Sequence, residues 1–295
     1  MMISQKKSNK VRFAFFGTPE LACVFLGELE NAGLVPSLVV TTPDKARGRG
    51  MEVASPPVKT WAQERHIPAI QPESFDEVPA ALKDAVFDVF VVIYYGKVLP
   101  STILNIPKHG VLNIHFSLLP RWRGTSPVRA EIANDDKEIG TSLILLDEKI
   151  DHGPLIAQKR IDVPEWPPKA SVLEEQATRE SAKLLIDMLP SWLAGDIEAR
   201  EQNHDIATMC PKYTKEDGFL DLSTDAYQNL LKIRAFDTTV GTHTFFERNG
   251  KKIRVGILDA HLENKNLIID RVKPEGKKEM AYEEFLRSGA KPASS

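Results

Sequence analysis

The sequence predicts an α/β protein in which a doubly wound, Rossmann-like N-terminal domain precedes a small, mainly β, OB-like barrel. Two observations predict the first domain. Short apolar runs alternate with helical patterns up to about residue 120, and the run at 87–95 is nearly all apolar, as in a parallel strand covered on both faces. A third observation predicts the second domain, because residues beyond 240 alternate polar and apolar side chains between turn signals.

The elements of the N-terminal domain follow in the order that builds a doubly wound sheet. The strand-like segments are residues 11–16, 37–41, 68–71, 87–95 and 111–116. Helical patterns begin after Gly17, at Ser55 and near Ser101. Residues 141–146 and 155–163 then predict two strands joined by an acidic loop.

The C-terminal domain is separated from this pattern by a polar segment without periodicity. A helix predicted at 171–193 ends before this segment, and a short helix at 226–234 follows it. Strands are predicted at 241–246, 252–258 and 267–272. We therefore predict a catalytic domain at 10–194, a linker at 195–216 and a β-barrel domain at 217–290.

Composition is that of an ordinary globular protein. The 295 residues are 42% hydrophobic and 27% charged, with a net charge of −3. No apolar run approaches the roughly 20 residues of a membrane span, and the first ten residues lack the apolar core of a signal peptide, so we expect a cytoplasmic protein. Cys23 and Cys210 stand in unrelated contexts, and the seven histidines show no HxxxH or HxH spacing. We therefore expect neither a disulfide nor a metal site, and we expect a monomer.

Charge is unevenly spread along the chain. Residues 210–295 hold 15 Lys and Arg against 13 Asp and Glu, while the remainder is acidic. This is not the general basic surface of a nonspecific nucleic-acid binder, so a nucleic-acid partner has to use local patches.

The stretch from Val111 to Gly124 begins with the pattern of a strand and ends in a segment that a proline and a glycine turn interrupt. In a strand at 111–116, Asn113 and His115 point to the same face, and Pro120 ends the strand. Burying an amide and an imidazole without partners costs about 1–3 kcal/mol each, so these side chains either satisfy one another and the backbone or face a ligand.

Other segments are expected at the same edge of the sheet. Gly17 and the Tyr95-Gly96 pair also follow strands, and ligands of doubly wound sheets bind beyond the carboxyl ends of the strands. The turn at Gly17 holds a single glycine, so the GxGxxG fingerprint of a dinucleotide enzyme is missing.

Residues 42–51 predict a mobile, cationic loop. Its glycines give the backbone conformational freedom, and the positive charges of Lys45, Arg47 and Arg49 suit a contact with phosphate. A solvated loop without function is the alternative reading of such a segment.

An amide, an imidazole and a carboxylate at one sheet edge suit acyl transfer from an amide-like donor to an amine. Asn113 and a protonated His115 are suitable donors to the oxyanion formed by attack on a formyl carbonyl. Asp151, in the acidic loop, is placed to accept the proton of the attacking ammonium directly or through water. A turn-forming role for Asp151 is the simpler alternative.

The chain resembles the folate-dependent formyltransferases in its sequence motifs, and most closely the branch that acts on methionyl initiator tRNA. The matching segments are Phe16-Gly17-Thr18-Pro19, Asn113-Ile114-His115, Ser117 to Gly124, Asp151-His152-Gly153, Ile233-Arg234-Ala235-Phe236 and the run from Pro274 to Met280. The resemblance runs from Val11 to about Arg287. Phe116 and Tyr94 are bulkier than is usual in the family, and both lie near the expected folate pocket.

This resemblance implies 10-formyltetrahydrofolate as donor and the α-amino group of methionyl initiator tRNA as acceptor, in translation initiation. It implies Asn113, His115 and Asp151 as the catalytic trio. It also implies a folate site lined by Tyr95, Gly96, Ser117, Leu118, Leu119 and Pro120. Arg47, Arg49 and Lys212 are the implied tRNA contacts, together with the C-terminal barrel.

Three other functions stay open at this point. A formyltransferase acting on a nucleotide-linked amino sugar shares the trio but has no need of a basic barrel. A hydrolytic enzyme uses the same trio to direct water onto a formyl-folate. A non-catalytic RNA-binding relative keeps the fold without turnover.

Overall fold

The computed structural model describes residues 11–47, 52–75, 78, 82, 85–248 and 250–292. They form two compact units. The first comprises the residues up to Pro120, Thr141–Lys159 and Thr178–Ile206. The second comprises Arg121–Gly140, Arg160–Ala177 and the residues from Ala207 onward. The domain limits given by the sequence stay a prediction, because packing units and domains need not coincide.

The described strands are, in chain order, β1 Phe13–Phe16, β2 Leu38–Val40, β3 Lys45–Arg47, β4 Glu52–Ala54, β5 Ala69–Ile70, β6 Val89–Val92, β7 Val111–His115, β8 Gly140–Leu145, β9 Leu155–Arg160, β10 Thr242–Arg248, β11 Lys251–Glu263, β12 Asn266–Pro274, β13 Met280–Ala281 and β14 Lys291–Pro292. The described helices are α1 Glu20–Asn31, α2 Pro57–Glu64, α3 Ser101–Leu104, α4 Pro127–Ala133, α5 Ala170–Ala194, α6 Ala226–Ala235 and α7 Tyr282–Arg287, with a 3₁₀ turn at His204–Ile206.

The first unit is built on a seven-stranded sheet in the order β5-β2-β1-β6-β7-β8-β9. The pairings from β5 through β7 are parallel, and β7 pairs antiparallel with β8. Every residue of β1 and β6 is buried, as expected for parallel strands covered on both faces. The chain moves outward from β1 in one direction and from β6 in the other, so the carboxyl ends of these two strands flank the switch point of the sheet. The predicted Rossmann-like domain is confirmed.

The segment predicted as an unpaired loop at 42–51 is paired at its base. Strand β3 pairs antiparallel with β4, which places Lys45 opposite Ala54. The prediction of a loop was therefore wrong for these residues, because the backbone gains ladder hydrogen bonds that the polar side chains do not reveal. Arg49 lies outside the described residues.

The second unit contains a five-stranded antiparallel sheet in the order β13-β12-β11-β10-β14. Helix α7 was not predicted, and its Phe285 packs against Phe246 with ring centroids 5.1 Å apart, in the core of this sheet. In the same unit, α4 packs against α6. The mainly β character predicted for the C-terminal region is confirmed. No described helix has the length and apolar character needed to cross a membrane.

One buried carboxyl group of the second unit is a source of instability. Glu131 of α4 is fully buried, and neither of its carboxyl oxygens has a hydrogen-bond partner among the described residues. Burial raises the pKa of Glu131 well above its ordinary value, the charge of Asp136 raises it further, and Arg121 opposes the shift. The folded state therefore favours the neutral carboxylic acid.

We expect Glu131→Gln to stabilise the protein at pH 8 more than at pH 5. An acid whose pKa is raised by folding contributes its full stability below the unfolded pKa, and this contribution is lost as the pH rises through the folded pKa. The amide carries no charge and escapes this loss. Urea unfolding at the two pH values measures the difference between the gains. We expect this difference to be about 1.4 kcal/mol for each pH unit in which only the folded state holds the proton. An equal gain at both pH values would contradict the argument.

Candidate active site

Strand β7 carries both polar residues of the predicted site. It pairs with β6 on one side and β8 on the other, so Asn113 lies between Val92 and Ile144. Asn113 is partly exposed, and no hydrogen bond joins its side chain to another residue in the described part of the chain. His115 is buried, and its carbonyl oxygen accepts a hydrogen bond from the Thr141 hydroxyl at 3.1 Å. The strand therefore holds an amide and an imidazole on the same face.

The turn after β8 brings Asp151 to His115. The Asp151 Oδ2 atom lies 3.5 Å from His115 Nδ1, within ion-pair distance, and only 14% of the Asp151 side chain is exposed. A positive φ of 47° at Asp151 shows that the backbone adopts a conformation rare for residues other than glycine. The structure thus brings together Asn113, His115 and Asp151, which are separated by up to 38 residues in the sequence.

Gln202, which the sequence did not single out, and Gly153 of the Asp-x-Gly motif hold this turn. Gln202 is buried, and its Nε2 donates to the carbonyl oxygens of Asp151 at 2.9 Å and Gly153 at 2.7 Å. Gly153 packs so closely on β8 that a Cβ there would lie well inside van der Waals contact of the Leu145 carbonyl oxygen. Gln202 is far from the turn in sequence, so no local pattern signals its role. The Asp-x-Gly motif does signal the glycine.

A pair of histidines lies beside the same turn. The rings of His152 and His204 are stacked, with centroids 4.0 Å apart and planes within 6° of parallel. His152 Nδ1 lies 2.6 Å from Asp147 Oδ2. The contact with Asp147 lies within the acidic loop, and the stacked ring of His204 joins this loop to the segment after α5. The sequence did not predict the stacking, because His204 stands in a polar segment without periodicity.

The predicted folate segment from Ser117 to Pro120 is fixed by two residues of β8 and β9. The Ser142 hydroxyl donates to the Ser117 carbonyl oxygen at 2.6 Å and accepts from the Leu119 amide at 3.0 Å. Gln158 Nε2 donates to Ser142 Oγ and to the Leu119 carbonyl oxygen, both at 2.9 Å. Leu119 and Ser117 are buried, while Leu118 and Pro120 are partly exposed. The loop backbone is therefore held in one position.

The other predicted folate residues follow β6, at the switch point of the sheet. Tyr95 turns into the core, where its ring meets Phe16 edge-on at 5.5 Å, and burial raises the pKa of its hydroxyl to about 12. Gly96 is exposed and has a φ of +75°, which favours glycine. Only the backbone of this pair is therefore placed for ligand contact.

The two bulky residues noted in the sequence contact each other. The rings of Tyr94 and Phe116 are stacked at 4.8 Å with planes 29° apart, and the Tyr94 hydroxyl lies 3.2 Å from the Thr178 hydroxyl. Each ring therefore fills space that the other would otherwise leave open.

The three predicted tRNA contacts belong to different parts of the chain. The backbone of Arg47 belongs to β3, and Arg49 lies outside the described residues. Lys212 belongs to the second unit, where it is exposed beside a cavity of about 350 Å³ that Arg129 and Lys215 also line. Within the described residues, no group of three or more His, Cys, Asp or Glu side chains is arranged to hold a metal ion.

Comparison with known proteins identifies the family. Residues 10–189 match the family model described as formyl transferase. The chain belongs to the formyl transferase family. The match covers β1 through most of α5, and so includes all three residues of the trio and both segments predicted to bind folate.

Several curated relatives of the chain are methionyl-tRNA formyltransferases. The enzyme of Thermotoga neapolitana is 37% identical over 247 residues, which are 83% of this chain and 78% of the relative. The enzyme of Myxococcus xanthus is 34% identical over an alignment of 302 positions, gaps included, which covers 95% of each chain. A solved formyl transferase, the Helicobacter canadensis N-formyltransferase in complex with folinic acid and dTDP-3-aminofucose, has the same fold. Its TM-score is 0.65 at 17% identity, over 92% of this chain and 98% of that one.

We expect Gly153→Ala to destabilise the protein by about 1–3 kcal/mol, the usual cost of overpacking. The added methyl group would have to displace the turn that carries Asp151. Gly27→Ala is the matched control, since Gly27 lies within α1 with open space around it, and alanine is about 0.5–1 kcal/mol more favourable in a helix. Denaturant unfolding compares the two. A Gly153→Ala protein as stable as the wild type would show that the turn is not closely packed.

Proposed function

We propose that the chain transfers the formyl group of 10-formyltetrahydrofolate to the α-amino group of methionyl initiator tRNA. The observation that carries this proposal is the approach of Asp151 to His115, on the strand that also presents Asn113. Similarity to methionyl-tRNA formyltransferases over most of the chain supports the acceptor. The resemblance to a formyl transferase solved with folinic acid supports a folate donor.

In the proposed reaction, the amino nitrogen of the acceptor attacks the formyl carbon of the donor. Asn113 Nδ2 and His115 Nε2 donate hydrogen bonds to the oxyanion that develops on the formyl oxygen. His115 Nδ1 faces Asp151, so the imidazole is oriented with its other nitrogen toward the substrate. The bond from the formyl carbon to N10 then breaks, the new amide forms, and N10 takes up a proton.

Asp151 serves as the proton acceptor in this scheme. The acceptor amine is an ammonium ion near neutral pH and must lose a proton before or during attack. Asp151 accepts that proton directly or through water, and its contact with His115 Nδ1 fixes the orientation of the imidazole. Gln202 and Gly153 act as positioning residues, because they fix the turn and not the reacting atoms.

The donor is proposed to bind at the switch point of the sheet. The backbone at Tyr95 and Gly96 and the segment from Ser117 to Pro120 line this site. Arg47, Arg49 and Lys212 are proposed to contact the tRNA, as is the C-terminal β-region. Because initiator tRNA is aminoacylated and used where translation starts, we place the activity in the cytoplasm. We also propose that the chain acts as a monomer.

The deciding test is formyl transfer from 10-formyltetrahydrofolate to purified initiator and elongator methionyl-tRNA. We expect rapid transfer to the initiator alone. Asn113→Ala removes one oxyanion donor and should lower kcat by about 10²–10³-fold. Asn105→Ala, an exposed asparagine at the end of α3, is the matched control and should leave kcat unchanged.

Other outcomes of the same assay separate the competing functions. Consumption of the donor without transfer to either tRNA would indicate the hydrolytic enzyme. Transfer to a nucleotide-linked amino sugar, and not to tRNA, would indicate the sugar enzyme. RNA binding with no turnover, unaffected by Asn113→Ala, would indicate a non-catalytic relative.

A second prediction concerns Ser142, a positioning residue for the donor segment. Ser142→Ala leaves the Leu119 amide without its partner, so the segment loses its fixed position. We expect KM for the folate donor to rise about tenfold, since one unsatisfied buried donor costs about 1–3 kcal/mol. The kcat value should change much less, because the trio is untouched. Ser101→Ala, at the exposed start of α3, is the control. A fall in kcat with KM unchanged would contradict this role.

A further inference from the structure

The outer face of β10 in the second unit carries aromatic side chains. Phe246 is fully buried in the core of the sheet, so His243 and Phe245, which alternate with the core-facing residues, lie on the opposite face. A neighbouring segment extends this face. The Leu220 amide donates to the His243 carbonyl oxygen and the His243 amide to the Gly218 carbonyl oxygen, both at 2.8 Å, which sets Phe219 beside His243.

The three rings form one cluster, which we call the aromatic platform: Phe219, His243 and Phe245. Phe219 lies 5.9 Å from His243 and 6.2 Å from Phe245 between ring centroids, and His243 lies 5.9 Å from Phe245. His243 is buried, but 41% of Phe219 is exposed. The other two rings therefore flank Phe219, at interplanar angles of 63° and 39°, and leave part of it available to a ligand.

Cations border the platform on the neighbouring strands. In the register of the sheet, Arg254 lies opposite Phe245, and Lys273 lies opposite Gly256, which in turn faces His243. Lys252 Nζ is 4.7 Å from the centroid of the Phe245 ring. All three cations are exposed, and in the described part of the chain none of them forms an ion pair with a carboxylate. They are available to an anionic ligand.

The same face also carries acidic groups. Glu247 lies opposite Lys252, and Glu275 stands beside Gly276 in the loop that follows β12. Glu216 is close enough to His243 to influence its pKa. The three cations beside the rings are therefore matched in number by three exposed carboxylates, and the face has no net positive charge. Phosphate contacts are expected at the cations and not over the whole face.

A pocket of about 290 Å³ lies beside the His243 end of this face. Gly256, His243, Arg254 and Lys273 are among its lining residues. Small-molecule sites occupy about 300–1,000 Å³, so the pocket accommodates one planar ring system and is too small for a helix. Burial lowers the pKa of His243, as does the charge of Arg254, so the ring favours its uncharged form.

We propose that this face binds an unpaired base of an RNA, stacked on the aromatic platform, with the adjoining phosphates contacting Lys252, Arg254 and Lys273. Aromatic rings set in a basic groove are the arrangement by which β-sheet domains hold single-stranded nucleic acid, because every base has a π face. The proposal rests on the proposed function, in which the RNA is the acceptor tRNA. It adds that recognition includes a base outside the helical stems, and not phosphates alone.

The test compares two ligands with the same backbone charge. The probes are a fluorescent oligoadenylate of about six nucleotides, within the site size of one β-barrel domain, and an abasic ribose-phosphate chain of equal length. Fluorescence anisotropy with the full chain measures both affinities. We expect the oligoadenylate to bind about 5- to 100-fold more tightly, since stacking contributes roughly that factor per base.

Two variants tie this difference to the platform. Phe219→Leu keeps an apolar side chain but removes the ring, and Gly256→Val fills the pocket. The valine Cβ would meet Lys273 O at 3.4 Å and Thr242 O at 3.7 Å, distances that the strand accommodates. We expect both variants to lose the preference for the oligoadenylate while keeping the affinity for the abasic chain. A thermal unfolding curve like that of the wild type establishes that each variant is folded.

Two controls on the same sheet domain are matched to these changes. Leu286→Ala removes an apolar side chain that is 38% exposed, close to the value for Phe219, but it lies on α7. Lys265→Gln removes an exposed cation at the turn between β11 and β12. Both should retain the preference for the oligoadenylate.

Equal affinity of the wild type for the two probes would overturn the proposal, as would a preference that survives both Phe219→Leu and Gly256→Val. Neither result affects the outcome of the formyl-transfer assay, which measures the formylated methionyl-tRNA that is produced. Failure of that assay with base-dependent binding intact would refute the proposed acceptor alone. With both activities present, Phe219→Leu should raise KM for the tRNA and leave kcat unchanged.

Discussion

The pairing of β7 with a parallel neighbour on one side and an antiparallel neighbour on the other is the constraint on which the site depends. A strand held on both edges cannot slip, because a shift of one residue would exchange its two faces and move Asn113 and His115 away from the site. The antiparallel partner β8 also supplies Thr141 and Ser142, which bind the backbone at His115 and at Ser117. One pairing therefore fixes both the reacting side chains and the donor segment.

The carboxylate of the site is held by a different kind of interaction. Asp151 lies in a turn, and turns have few backbone hydrogen bonds of their own. Here a buried glutamine supplies two hydrogen bonds and a close glycine contact fixes the depth of the turn. Preorganisation of this type matters for oxyanion and proton-transfer chemistry, because a group that is already in place needs no reorganisation at the moment of reaction. The left-handed backbone at Asp151 is tolerated because the surrounding contacts determine it.

The sequence predicted those features that follow from local periodicity and strand order. Asn113 and His115 lie at the carboxyl end of β7, and Tyr95 and Gly96 follow β6. Parallel strands present their carboxyl ends at one edge, so the convergence of these residues could be predicted without coordinates. Gln202 could not, because its hydrogen bonds join segments about fifty residues apart and no periodicity records them. Helix α7 is only six residues long, too short for a periodic pattern, and β3 and β4 are defined by their pairing and not by apolar alternation.

The aromatic platform of the second unit also combines a local sequence pattern with a contact that is distant in the sequence. Alternation along β10 already separates Phe246 from Phe245 in the sequence, but the position of Phe219 depends on hydrogen bonds between Gly218, Leu220 and His243, which the sequence does not reveal. Phe219 is 41% exposed, two rings flank it, and the neighbouring strand supplies cations. Net charge has little weight in this argument, since the C-terminal region is nearly balanced. What distinguishes the face is that its cations stand beside rings, and this combination favours a base with its phosphate over either a peptide or a duplex backbone.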